Sequence, residues 1–66
     1  MKYAANYNVG NGTHLSIPLT GTNKRDLARR IRALCVAETP KGTFATWSVW
    51  EQEGACNLAA AGNVRR

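Results

Sequence analysis

Between positions 22 and 38 one short segment carries an apolar period and a cationic period together, which leaves few ways to fold it. Leu27, Ile31, Leu34 and Cys35 recur at i, i+4, i+7 and i+8 and so share one face of a helix. Arg25, Arg29 and Arg32 recur at i, i+4 and i+7 on the opposite face, flanked by Arg30 and Lys24. One element thus offers a surface for a core and a cationic ridge for a partner.

Both ends of this helix are marked. Asn23 followed by Asp26 has the spacing of a capping box, and Asp26 also lies near the positive end of the helix dipole. Thr22 is the alternative cap. Pro40 disfavours helical geometry in the residue before it, so the helix is predicted to stop at Glu38 or Thr39, with Lys41-Gly42 completing the turn.

Strand patterns flank the helix. Across 2–9, Tyr3, Ala5, Tyr7 and Val9 alternate with Lys2, Ala4, Asn6 and Asn8. Gly10-Asn11-Gly12 reads as a hairpin loop, after which Leu15, Ile17 and Leu19 alternate with Ser16, Pro18 and Thr20. A two-residue Asn11-Gly12 turn would put the apolar sets of the two strands on opposite faces. A three-residue loop pairs Tyr7 with Leu15, Ala5 with Ile17 and Tyr3 with Leu19, and keeps the sets together. Pro18 cannot donate to a ladder, so the second strand should have a free side.

Residues 43–51 are rich in β-branched and aromatic types and read as a third strand. Gln52-Glu53-Gly54 reads as a turn, 55–61 as a fourth strand and 62–66 as a loose basic tail. Pairing Val49 with Leu58 and Trp47 with Ala60 puts Ala45, Trp47, Val49, Cys56, Leu58 and Ala60 on one face, where the alanines leave room for the indole.

The expected fold is α+β, in the order ββαββ: a four-stranded antiparallel sheet with one helix packed on one face. The predicted core is Tyr3, Tyr7, Val9, Leu15, Ile17, Leu19, Leu27, Ile31, Leu34, Cys35, Trp47, Val49 and Leu58. The uncovered face would bear Asn6, Asn8, His14, Ser16, Thr46, Ser48 and Asn57, together with Phe44 and Trp50.

A chain of 66 residues has room for one domain, 1–66. So small a domain buries only about 60% of the surface its unfolded chain exposes, and it usually needs a disulfide, a metal or self-association. Cys35, Cys56 and the single His14 do not make a four-ligand zinc site, and no cofactor is expected. Self-association as a homodimer is the remaining device. The absence of an apolar run long enough for a signal peptide or membrane span points to a cytoplasmic bacterial or phage-encoded protein with reduced cysteines.

The formal charge of +5 favours nucleic acid or an acidic protein surface as partner. Guanidinium forks on a rigid helix suit phosphate oxygens, and Arg65 and Arg66 would add from the tail. The plainer reading is a solvated helix face. With only Asp26 and Glu38 as acids in the segment, however, the stripe is not laced with i,i+4 ion pairs.

Phe44 and Trp50 on an uncovered sheet face would stack bases, anchor a protein interface or fill a dimer core. His14 has no acid or nucleophile at a meaningful spacing, Glu51 and Glu53 flank a turn, and no glycine loop precedes a helix, so no catalytic set is expected and no small-molecule substrate is evident. The expected function is a non-enzymatic module that grips a polyanion, most simply nucleic acid, through sequence-independent phosphate contacts. The alternative is a homodimeric protein-binding adaptor or inhibitor acting through Phe44 and Trp50. In size and ββαββ pattern the chain resembles the small accessory proteins that phages and prophages encode. That resemblance carries no motif, and it implies a host- or genome-directed binding role.

Overall fold

The computed structural model describes residues 2–10, 18–52 and 57–66. Its elements are β1 (Tyr3–Val9), β2 (Leu19–Gly21), α1 (Lys24–Glu38), β3 (Phe44–Glu51) and β4 (Leu58–Arg65). They build one antiparallel sheet in the order β2-β1-β3-β4, with α1 against one face. The α+β architecture read from the sequence is the one observed. Pairing of β1 with β3 joins the two hairpins into one sheet, and α1 crosses over β1 on its way from the edge strand β2 to the interior strand β3.

The helix starts and stops where its sequence marks it. Asn23 is the N-cap in extended conformation, and its Oδ1 accepts from the Asp26 backbone N–H at 3.1 Å. Thr39 is extended at the C-cap, as a residue before proline should be. The buried row on α1 is Leu27, Ile31 and Cys35, continued by the nearly inaccessible Thr39. Leu34, expected in the core, is 42% exposed. A single helix lying on a sheet buries the i, i+4, i+8 row that faces the strands, and Leu34 stands off that row.

Below α1, Ala5, Val49, Leu27 and Ile31 form one buried cluster, and Ala45, Val64 and Cys35 form a second. Tyr3, Tyr7, Val9, Leu19 and Trp47 pack around these clusters half-buried rather than at their centres. The small residues Ala5 and Ala45 take the central positions because they let the helix approach the sheet.

Two registers differ from expectation. In the first hairpin Ala5 faces Leu19 and Tyr3 faces Gly21, not Ile17 and Leu19. The slip is two residues, so each side chain keeps its face. Gly10, at the end of β1, has a φ of +74° and donates its N–H to Phe44 O of β3 at 2.8 Å. That bond extends the β1–β3 ladder by one residue. Asn11, Gly12, His14, Leu15, Ser16 and Ile17, with the expected Tyr7–Leu15 pair, lie outside the described residues. Pro18 immediately precedes β2, which is an edge strand, as expected.

In the second hairpin Val49 faces Ala60 and Trp47 faces Gly62, not Leu58 and Ala60. An irregularity between Val49 and Trp50 sets Leu58 opposite Trp50 on the uncovered face, where Leu58 is 51% exposed rather than buried. Cys56 and Glu53 lie outside the described residues. The stretch expected to be a loose tail is strand: β4 continues to Arg65, and Val64 is only 7% exposed.

Its end is stitched to the turn after α1. Gly42 N–H donates to Arg66 O at 3.1 Å, and Arg66 N–H donates to Thr43 O at 3.0 Å. The Arg66 guanidinium donates to Val36 O at 2.8 Å and Thr39 O at 3.3 Å. It therefore adds a charged donor to Val36 O, which also accepts from the Thr39 N–H, and to Thr39 O, at the negative end of the dipole, in place of the basic last turn that α1 lacks. Arg66→Ala is expected to cost about 1 kcal/mol in denaturant unfolding. An unchanged midpoint would show that water caps the helix equally well.

Burial pushes the Cys35 thiol above its ordinary value, a hydrogen bond with Thr39 pulling the other way. The Tyr7 phenol is pushed up by burial, then by the Glu38 and Cys35 charges. Both groups are held neutral in the fold. The stability they contribute is complete below the unfolded-state values, about 8.5 for a thiol and 10 for a phenol, and is lost as pH rises through the folded ones. From these two groups, unfolding free energy should decline as pH rises beyond about 8.5. In a Cys56→Ser background, Cys35 should resist an aromatic disulfide reagent until denaturant is added. Fast native labelling would contradict the burial.

Candidate nucleic-acid interface

All five cationic side chains read as a binding surface, Lys24, Arg25, Arg29, Arg30 and Arg32, are exposed on α1 and point away from the sheet. One intramolecular carboxylate intrudes. Asp26 Oδ1 accepts from Arg29 Nη2 at 2.9 Å, and Asp26 Oδ2 lies 3.7 Å from Arg30 Nη1. The expectation of a stripe without ion pairs is therefore corrected. A short acid at the third helical position reaches both i+3 and i+4. Both pairs are exposed, and such pairs are worth about 0–1 kcal/mol. Among the described residues no carboxylate lies within ion-pair distance of Arg25, Arg32 or Lys24.

The placement of these charges works against the helix that carries them. Lys24 and Arg25 occupy the first two helical positions, where the dipole is positive, and the last turn has no base. Each misplaced cation costs about 0.3–1 kcal/mol at an exposed end. The positive end of the dipole and the arginines also reinforce each other's field. Asn23, Arg25, Asp26 and Arg29 line one shallow groove there.

Phe44 and Trp50 lie on the uncovered sheet face as expected, 52% and 40% exposed, together with Asn6, Asn8, Thr46 and Ser48. Asn57 is exposed but precedes β4. The face also holds Leu58, Ala61, Asn63 and Arg65 of β4, which the sequence reading did not place there. Arg65 stands directly across the ladder from Phe44, and Leu58 across from Trp50. The alternation of Ala61, Asn63 and Arg65 with Gly62 and Val64 was the available signal.

A relay fixes the indole on this face: Trp50 Nε1 donates to Ser48 Oγ at 2.9 Å, and Ser48 Oγ donates to Asn6 Oδ1 at 3.1 Å. Phe44 and Trp50 are on the opposite side of the molecule from the arginines, so the two candidate surfaces do not merge into one site. Arg66, expected to add to the cationic surface, is instead engaged in capping α1.

Among the described residues no helix is long and apolar enough to cross a membrane. Comparison with protein-family models, with curated proteins and with solved structures returned no match.

Proposed function

We propose that the protein is a non-enzymatic module that binds nucleic acid through the outer face of α1, with Arg25, Arg29 and Arg32 on successive phosphates and Arg30 and Lys24 beside them. The observation that supports this most is the inverted charge order of α1, with cations gathered at the end where helix stability disfavours them and missing where it favours them. Patterns that break a local rule are expected at functional or strained sites, and this one is on an exposed face with no strain to account for it. Phosphate contacts fix position and read no bases, so binding is sequence-independent.

The β4 edge supports self-association as part of the same proposal. From Leu58 to Val64 it carries no charge and no proline, which leaves a long strand edge without the usual guards against pairing. Two copies would double the number of phosphate contacts.

Asp26 gives the test. Asp26→Asn releases Arg29 and Arg30 and raises the net charge by one, while the cap bond to the Asp26 backbone N–H stays intact. Duplex affinity at low salt should rise about threefold to tenfold, the worth of one or two exposed ion pairs plus the added charge. Affinity that is unchanged or lower in a folded Asp26→Asn protein would count against the helix as the contact surface.

A further inference from the structure

The uncovered sheet face has the parts of a base-binding site. β1, β3 and β4 floor a cleft of about 570 Å³ whose lining includes Asn6, Asn8, Thr46, Ser48, Trp50 and Leu58. The Trp50 ring is pinned by its bond to Ser48 and through it to Asn6, so a flat π-surface is presented without the entropy cost of ordering it. Asn8 Oδ1 is buried in the same lining, and no donor among the described residues reaches it. A buried acceptor left unpaired is costly, and a turn of the Asn8 amide toward the cleft would let it accept an N–H from a ligand.

The charges of this face agree with a polyanion. Arg65 sits beside Phe44, and alternation puts Lys2 on the same side at the far end of β1. No Asp or Glu among the described residues shares the face: Asp26 and Glu38 are on α1, and Glu51 faces Tyr3 on the helix side. Phe44 and Trp50 are six residues apart on β3, roughly 20 Å of strand, with amides and hydroxyls between them.

We propose that this face is a second nucleic-acid site, which stacks an unpaired base on Trp50 and supplies Asn8 Oδ1 as acceptor for a base N–H. Stacking on aromatic rings with hydrogen bonds to splayed base edges is how single strands are held, and paired bases inside a duplex offer neither contact. The inference rests on nucleic acid being the partner and adds that part of it is single-stranded. Phosphates of such a strand would meet Arg65 and Lys2, while the duplex or backbone remainder meets α1.

The test is a nitrogen–proton correlation spectrum of the intact chain, titrated separately with a single-stranded oligonucleotide and with heparin, a polyanion without bases. The single strand should shift the Trp50 indole N–H and the Asn8 side-chain amide, and heparin should shift α1 only. Trp50→Ala should weaken the single strand about tenfold or more and leave heparin binding unchanged. Asn8→Ala should weaken it about threefold to tenfold.

Shifts confined to α1 with both ligands would overturn this site and leave the helix reading standing. Equal shifts of the open face by heparin would overturn base recognition. Silence with both ligands would end both readings. Open-face signals that move with protein concentration alone would assign the face to a second copy of the chain and overturn the proposal.

Discussion

Gly62→Ala should destabilise the protein by about 1–3 kcal/mol, the range for overpacking a filled interior, although it adds a single methyl group. Gly62 lies opposite Trp47, and a Cβ there would meet ring atoms Cε2, Cζ2 and Nε1 at 2.7, 2.7 and 2.8 Å. Those separations lie well inside van der Waals contact. The ring cannot move cheaply, because it packs against both buried clusters under α1. A domain of this size has on the order of 3–10 kcal/mol of stability, so the loss is a large share of the whole. The melting temperature should fall by roughly 10 °C.

A paired variant isolates the cause. Trp47→Phe removes the atoms that the new methyl would strike, and it also removes a buried indole N–H that has no partner among the described residues. The two substitutions together should cost less than the sum of their separate effects. Strict additivity would mean that Gly62 matters for another reason.

This glycine also shows where the sequence stops being legible. The α1 segment was readable because everything that defines it is local: a cap at Asn23, a period through Leu27, Ile31 and Cys35, and a stop before Pro40. The strands were readable as alternation, and so was the placement of Phe44 and Trp50 on the far face.

Register was not readable, because it is decided by volumes that meet only after folding. The Trp47 ring selects Gly62 over Ala60 as its neighbour, which draws β4 toward the chain's last residues and brings Val64 into the core. The same slip sets Arg65 beside Phe44, and the irregularity between Val49 and Trp50 turns Leu58 out. Of the candidate site, the five cations were visible as a spacing. Their partial neutralisation by Asp26 was not, since an i+3 reach and an i+4 reach from one carboxylate depend on rotamers.

Replacement of Arg25, Arg29 and Arg32 together by alanine should remove most duplex binding at low salt while the protein stays folded. All three side chains are exposed, and Arg29 is held only by an exposed ion pair with Asp26. Little stability is therefore at stake. Alanine's higher helix propensity and the relief of cations at the positive helix end offset the lost pair. In binding the loss is large, because each phosphate neutralised releases condensed counterions, and three contacts are lost together. Affinity should fall about a hundredfold or more at low salt, a larger effect than that of any one substitution on the helix. Circular dichroism of the triple variant should match the parent.

The most direct measurement is the slope of log affinity against log salt for duplex DNA, taken for the parent chain and for the triple alanine variant. Three phosphate contacts predict a slope of about −2.7 per protomer from these arginines, and a slope shallower by about that amount for the variant. Equal slopes in the two proteins, or tight parental binding that salt leaves untouched, would contradict the role assigned to α1.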